Sequence, residues 1–376
     1  MKRIIYVGMD VHKESYTLCC FTPEEDETFY HQTIAPDYKL ILKYVERITK
    51  IYKKQNPDEE LTFKCGYEAG CLGYTLYHQL NRAGIDCVIL APSTMSTTSS
   101  TRIKTDKRDA DNIAKCLAFR TFSKVHVPTA EDEEVKEYIR MRNAKKQLLK
   151  STKQQILALV LRHGYRYDGT VNNWTAKHIT WLRSLNLGGV LQETLSEYLT
   201  TFDYLMDKVE RLDARIEELA KGEAYQEKVK KLTCLIGVKT LTALSTIVEI
   251  GDFKRFSKPE KLAAFLGLVP GESSSGSKLV RLGITKAGNS QVRRMLVESA
   301  QSYTRGKVGY KSAELKRRQH GNTLETIAYA DKANERLRRK FYRMTLQNQS
   351  KRNIATTAIA RELACFMWGL MTGNTA

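Results

Sequence analysis

With 376 residues, 42% of them hydrophobic, the chain can bury more than one core and is expected to form two or three domains. The formal net charge of +19 points to polyanionic partners, because a surface this basic gathers and releases counterions. No apolar run reads as a membrane span, Met1-Lys2-Arg3-Ile4-Ile5 does not open a signal peptide, and the eight cysteines lack C-x-x-C pairs or zinc spacing, so a cytoplasmic protein with reduced cysteines is expected.

The first 125 residues alternate strand and helix. An apolar run from Ile4 to Met9 ends at Asp10, and β-rich stretches follow at Tyr16 to Phe21 and Phe29 to Ile34, joined by the acidic turn around Pro23 to Asp26. Leu40, Ile41, Tyr44, Val45 and Ile48 recur at helical spacing; Leu61 to Tyr67 is strand-like, Leu72 to Ala83 helical, and Asp86 to Leu90 strand-like again. A three-strand meander followed by alternating helix and strand is the layout of an RNase H-like α/β domain.

Glu131 to about Arg162 is highly charged and helical in pattern. Leu195, Tyr198, Phe202, Leu205, Val209, Leu212, Ile216 and Leu219 then keep an unbroken 3,4 spacing, which fits either a coiled-coil seam to another subunit or a hairpin packed on the preceding helix. After Lys221 the chain is mainly helical, interrupted by a turn-rich stretch from Pro270 to Ser277. The expected organisation is an α/β RNase H-like domain over 1–125, a helical coiled-coil region over 126–225 and a mainly α domain over 226–376.

Four acids carry the chemistry expected of the first domain. Asp10 ends the first strand and Glu68 lies just beyond the fourth, so the sheet would set them side by side; either alone is more commonly a turn residue. Asp106 and Asp109 are three apart at the start of a helix and share one face, where two acids repel unless a cation holds them or the helix dipole offsets their charge. Asp111 falls nearly opposite Asp109 on the helical wheel and is expected in solvent. Together Asp10, Glu68, Asp106 and Asp109 could hold two divalent ions, and oxygen-only ligands favour Mg²⁺, with Mn²⁺ possible, over zinc.

A second constellation lies in the C-terminal region. Gly267-Leu268-Val269-Pro270 leads into Ser273-Ser274-Ser275-Gly276, and Thr285-Lys286-Ala287-Gly288-Asn289 and Arg293-Arg294 follow. Serine beside glycine is ordinarily only a loop. Here Lys278, Arg281, Lys286, Arg293 and Arg294 surround it with phosphate-binding charge, as Lys104 does ahead of Asp106, and between Lys286 and Arg352 there are 17 Lys and Arg against 5 Asp and Glu. A serine attacking a phosphodiester would leave a phosphoserine that conserves the bond for rejoining.

The ordered set Gly8-Met9-Asp10-Val11-His12-Lys13, Tyr67-Glu68-Ala69, Lys104-Thr105-Asp106 with Asp109-Ala110, then the C-terminal pieces above, resembles the IS-110-type insertion-sequence transposases, which include the Piv-like DNA invertases. The resemblance spans nearly the whole chain. It implies a RuvC-like domain with Asp10, Glu68, Asp106 and Asp109 as its DEDD metal tetrad, and Ser275, five residues after Pro270, as nucleophile, with Ser273 and Ser274 as neighbours that could be confused with it. It also implies donor and target double-stranded DNA as substrates, a structured noncoding bridge RNA from the element as guide, and active sites shared within a homo-oligomer, dimer or tetramer. The chain departs from the family in having Gly70-Cys71 after Glu68-Ala69, and Cys234-Leu235 where a Pro-Gly pair often precedes Ile236-Gly237-Val238-Lys239. Two other readings compete: a RuvC-like nuclease that cuts branched DNA with metal-activated water, and a non-catalytic basic RNA-binding protein. The second gives no use to four acids in a positive chain.

Overall fold

The computed structural model describes residues 2–375 apart from 56, 58, 71, 96–104, 170–172, 273–280, 347 and 348. The chain divides into two compact units, Met1–Val127 and Pro128–Ala376. The first is built on β1 (Lys2–Val11), β2 (Tyr16–Phe21), β3 (Thr28–Ile34), β4 (Glu60–Glu68) and β5 (Asp86–Leu90), with helices α1 (Tyr38–Gln55), α2 (Thr75–Arg82) and α3 (Asp106–Phe119). The sheet order is β3-β2-β1-β4-β5. The β1–β2 and β2–β3 pairs are antiparallel, whereas β1–β4 and β4–β5 are parallel. An antiparallel meander extended by two parallel strands is the mixed sheet that the residue pattern predicts.

Side-chain alternation divides this sheet into two working faces. Ile5, Val7 and Met9 of β1 are fully buried with Cys65 and Tyr67 of β4, beneath Ile41, Tyr44 and Ile48 of α1 and Leu76 and Leu80 of α2. The intervening positions, Tyr6, Gly8 and Asp10 on β1 and Gly66 and Glu68 on β4, belong to the other face, which α3 covers with Ala110, Ile113, Ala114 and Leu117. The described cysteines are free thiols, mostly buried, and burial pushes the Cys65 and Cys87 thiols up, which leaves them as small neutral hydrophobes.

Gly8 sets how closely α3 lies on the sheet. A Cβ at this position would come within 2.1 Å of the Ala110 carbonyl oxygen and 2.5 Å of the Ala114 amide nitrogen, both backbone atoms that cannot swing aside.

The second unit begins with α4 (Ala130–Arg162), started by Thr129, whose hydroxyl accepts from the Asp132 amide at 3.1 Å, with Glu131, Asp132 and Glu133 stabilising the positive end. The short α5 (Ala176–Ser184) leads to α6 (Gly189–Leu219). The 3,4 seam of α6 is satisfied within the chain: Leu195, Phe202, Leu205 and Val209 pack with Leu149, Ile156, Leu159 and Val160 of α4. Of the two readings of that seam, the coordinates therefore favour the hairpin, and its apolar stripe is spent on α4 rather than displayed to another subunit.

Beyond it come α7 (Gln226–Leu232), α8 (Thr240–Ile250), α9 (Pro259–Phe265), the ribbon β6 (Pro270–Glu272) and β7 (Arg281–Ile284), α10 (Ser290–Ala300), α11 (Ala313–Gln319), α12 (Leu324–Thr345) and α13 (Arg352–Thr372). One expectation is corrected here. The 21-residue α13 is long and apolar enough to cross a bilayer, although no apolar run of that kind was expected. Its Ile359, Ala360, Leu363 and Met367 are fully buried against the rest of the C-terminal core, so its apolarity is that of a helix packed on more than one side.

Gly8→Val should separate α3 from β1, destabilising the protein by about 1–3 kcal/mol, the range for overpacking a filled core. Urea unfolding followed by circular dichroism would measure it; an unchanged midpoint would mean that α3 is held elsewhere.

Candidate active site

The four acids reach one face of the first unit by separate routes. Asp10 is the penultimate residue of β1 and Glu68 the last of β4, and because Met9 pairs with Tyr67 in the parallel register the two carboxylates leave neighbouring strand ends on the α3 face. Thr105 caps α3, its hydroxyl accepting from the Arg108 amide at 3.4 Å, which places Asp106 and Asp109 in the first turn. With α3 pressed onto Gly8, that turn lies over the end of β1.

The closest group consists of Asp10, Asp106 and His12, whose ligand atoms all fall within 4.8 Å of one another. Asp109 acts on Asp10 electrostatically, while Glu68, exposed at its strand end, lies outside this innermost group. His12 Nε2 is 3.1 Å from Asp10 Oδ2. Residue reading gave His12 no role, although its spacing of two from Asp10 is the signal that would have raised the question. Burial raises the Asp10 carboxyl above its ordinary value of 3.8; His12 opposes this, and Asp109 and Asp106 push the same way as burial. Clustered acids that disfavour each other's charge suit a divalent cation, and carboxylates beside one imidazole are a donor set that could hold one.

Asp111 is not in solvent as the helical wheel suggested. Its Oδ1 lies 2.6 Å from His31 Nε2 on β3, and it hydrogen-bonds the buried Cys19 thiol of β2, which burial and the nearby carboxylate keep protonated. The wheel angle was sound, but α3 is flanked by the outer strands as well as by β1. Cys19, His31 and Asp111 thus bring three ligand-type atoms within 4.8 Å, and they lock α3 to the sheet two residues beyond Asp109.

In the second unit, Ser275, with Ser273, Ser274 and Lys278, lies outside the described residues, as does Lys104 in the first; so does the side chain of Arg281. The base of the serine loop is described. Pro270 pairs with Ile284 and Glu272 with Arg281, and the Thr285, Lys286 and Asn289 amides donate to the Val269, Gly267 and Phe265 carbonyls at 3.0, 3.1 and 3.2 Å. Gly267 and Gly288 both have positive φ, and a Cβ on either would run into a backbone carbonyl across this junction, so the two glycine-bearing motifs close on each other. Asn289 caps α10 by accepting from the Val292 amide and donates to Glu249 Oε2 at 2.8 Å; Glu249, its side chain 6% exposed, also accepts both arms of Arg140. Nothing in the spacing of Arg140, Glu249 and Asn289 foretold that network.

The basic residues separate in role. Arg293 is half-buried, and its Nη1 donates to the Leu266 and Ala287 carbonyls at 2.8 and 3.2 Å, so its charge braces the loop base. Lys286 and Arg294 are exposed.

Because folding raises the Asp10 pKa, ionised Asp10 costs stability as pH rises past its ordinary value, and the cost is fully present above the raised one. Asp10→Asn should therefore raise the metal-free melting midpoint at pH 7 by about 2–4 °C, and should converge with the parent near pH 3. It should also lack any midpoint rise that an added divalent cation produces in the parent. Equal responses of both proteins to the cation in calorimetry would remove Asp10 from the metal site.

Comparison with known proteins identifies the family of the chain. A DEDD-type IS110 family model, described as a transposase, matches residues 7–164, and one described as the transposase IS116/IS110/IS902 family matches residues 229–317. The transposase for insertion sequence element IS1533 of Leptospira borgpetersenii is 31% identical over 91% of this chain and 96% of its own. The putative transposase y4qE of Sinorhizobium fredii is 32% identical over 98% and 88%, and the transposase for IS1111A of Coxiella burnetii 25% identical over 88% of each. The DEDD match also carries with it dependence on a divalent metal. The chain belongs to the IS116/IS110/IS902 family of insertion-sequence transposases and is a DNA transposase.

Proposed function

We propose that the chain cuts and rejoins DNA through a serine-linked intermediate, using a Mg²⁺-binding site made by Asp10, Glu68, Asp106 and Asp109, and that a noncoding RNA of the element directs it to donor and target. The observation that carries the metal reading is the gathering of Asp10 and Asp106 with His12 on the face where α3 meets β1. A divalent ion there would neutralise charge on a phosphodiester. The protein's own part is to hold the carboxylates together against their repulsion, with Asp10 oriented by His12.

In the strand-transfer step, the Ser275 hydroxyl loses its proton and forms a bond to phosphorus while one ester P–O bond breaks, releasing a hydroxyl-terminated strand that takes up a proton. Attack by that or another strand end on the phosphoserine restores a phosphodiester and regenerates the serine. The closed ribbon beneath the loop supports this role by fixing both ends of the segment that carries Ser275, with Lys278, Arg281, Lys286 and Arg294 as the phosphate-facing charges and Arg293 as their brace. Lys104 would play the same part beside Asp106. Catalysis by paired subunits, dimer or tetramer, would bring a serine to a carboxylate site. We further propose 1–125, 126–225 and 226–376 as the functional regions, the middle one being the helical hairpin.

Reaction of the full-length protein with the element's RNA, its DNA sites and Mg²⁺ should give a protein–DNA adduct that migrates slowly on a denaturing gel. Ser275→Ala should abolish both adduct and recombinant product while nucleic-acid binding persists, and Asp10→Ala or Asp106→Ala should reduce cleavage by at least a hundredfold. Cleavage with no adduct, undiminished by alanine at Ser273, Ser274 and Ser275 in turn, would replace this chemistry by hydrolysis in the manner of a RuvC-like nuclease.

A further inference from the structure

Part of the basic stretch between Lys286 and Arg352 is distant in sequence from the serine loop and carries none of its motifs. Lys332, Arg336, Lys340 and Arg343 follow one another along α12 at intervals of four, four and three residues, so they form a stripe on one side of the helix. Eleven residues separate the first from the last, about 16 Å of helix. The stripe faces an open groove of about 610 Å³ between α12 and α13, to which Arg361 of α13 contributes, continued by a second hollow of about 580 Å³ around Arg339 and Arg343.

Two carboxylates line this groove: Glu260 of α9 at an exposed position, and Glu362, which is committed. Glu362, its side chain 13% exposed, accepts from Lys340 at 2.7 Å and from Arg336, and these two cations hold it ionised despite its burial. Two of the basic side chains are thereby fixed in direction. Lys332, Arg343 and Arg361 have no carboxylate partner among the described residues, so their charge is available to an outside anion.

The groove lacks what a single strand would require. Tyr329 and Phe366 pack edge to face with ring centroids 5.6 Å apart, half-buried against the core, and Trp368 is 8% exposed with its indole donating to the Phe256 carbonyl. These rings are engaged with one another or with the core, and none of them belongs to the row of cations along α12, so they do not form the succession of stacking platforms that tracks an unpaired strand. The dominant feature is a straight row of cations, which suits the phosphates of a duplex: about 16 Å of double helix carries roughly ten phosphate charges.

We propose that the α12–α13 groove is a sequence-independent docking site for the backbone of double-stranded DNA, separate from the serine loop. It rests on the DNA substrate of the family and not on the metal or serine chemistry.

The test is binding of the full-length protein to a labelled DNA duplex of arbitrary sequence, measured by fluorescence anisotropy at several salt concentrations with EDTA present so that no cleavage intervenes. Lys332→Gln/Arg343→Gln/Arg361→Gln should lower the slope of log affinity against log salt by about 2.7, about 0.9 for each lost phosphate contact. Lys50→Gln/Lys53→Gln/Lys54→Gln, which removes the same charge from exposed positions on α1, should change it by less than about one. If the first variant fails to fold, Lys332→Gln/Arg343→Gln at two exposed positions should lower the slope by about 1.8. An equal change in the α1 variant would reduce the groove to net charge, and an unchanged slope in the groove variants would overturn the proposal. A loss confined to single-stranded DNA or to RNA would overturn the assignment of duplex DNA. Loss of duplex binding in the groove variant, with adduct formation by pre-bound short DNA sites intact, would leave the serine reading standing independently.

Discussion

The candidate metal centre depends on how closely a helix can lie on a strand. Three of the four acids are useful only if the first turn of α3 reaches the end of β1, and the distance is set where Ala110 and Ala114 rest on Gly8. Small residues on both sides of the contact let backbone meet backbone. The same packing withdraws Asp10 from solvent and so raises the cost of its charge, which is the property that prepares it for a cation. Hydrophobic packing and acid–acid repulsion thus oppose each other over a few ångströms.

A different solution holds the base of the serine loop. Its supporting ribbon is short and has no large apolar face, so its position is set by backbone hydrogen bonds from Thr285, Lys286 and Asn289 to Val269, Gly267 and Phe265 and by the buried Glu249, which receives Arg140 from α4 and Asn289 from the start of α10. A carboxylate this buried must be paired to be tolerated, and the pairing ties three stretches of chain together. Arg293 belongs to the same support, because a guanidinium shared between two carbonyls cannot also reach a phosphate without releasing them.

The strand positions of the first domain, the helix over residues 130–162, and the placing of Asp10 at a strand end and of Asp106 at a helix start could be read from alternation, periodicity and spacing, because each is a repeating or local property. The failures share a cause. Asp111 was assigned to solvent from an isolated helix, but His31, eighty residues away on β3, meets it. Arg293 looked like its neighbour Arg294 until the carbonyls of Leu266 and Ala287 were brought to it by the fold. The apolar α13 could be distinguished from a membrane span only by what packs around it. Pairings between distant elements are what a linear pattern does not contain.

The long helix α4 has a mechanical consequence. Val135 and Ile139 at its root are embedded in the same core as Ile216 and Ala220 at the end of α6 and its flank, and Arg140 is clamped to Glu249, while Ile156 to Val160 form a separate core with the opposite end of α6. From Arg140 to Arg162 the helix runs about 33 Å. A hairpin anchored at one end and stiffened by its own core at the other behaves as a lever: a tilt of about 5° at Arg140 displaces the tip by about 3 Å over that length. Because Glu249 joins the fulcrum to Asn289 at the start of α10, a load applied at the hairpin tip would be felt first at the carboxylate that ties α4 to the base of the loop.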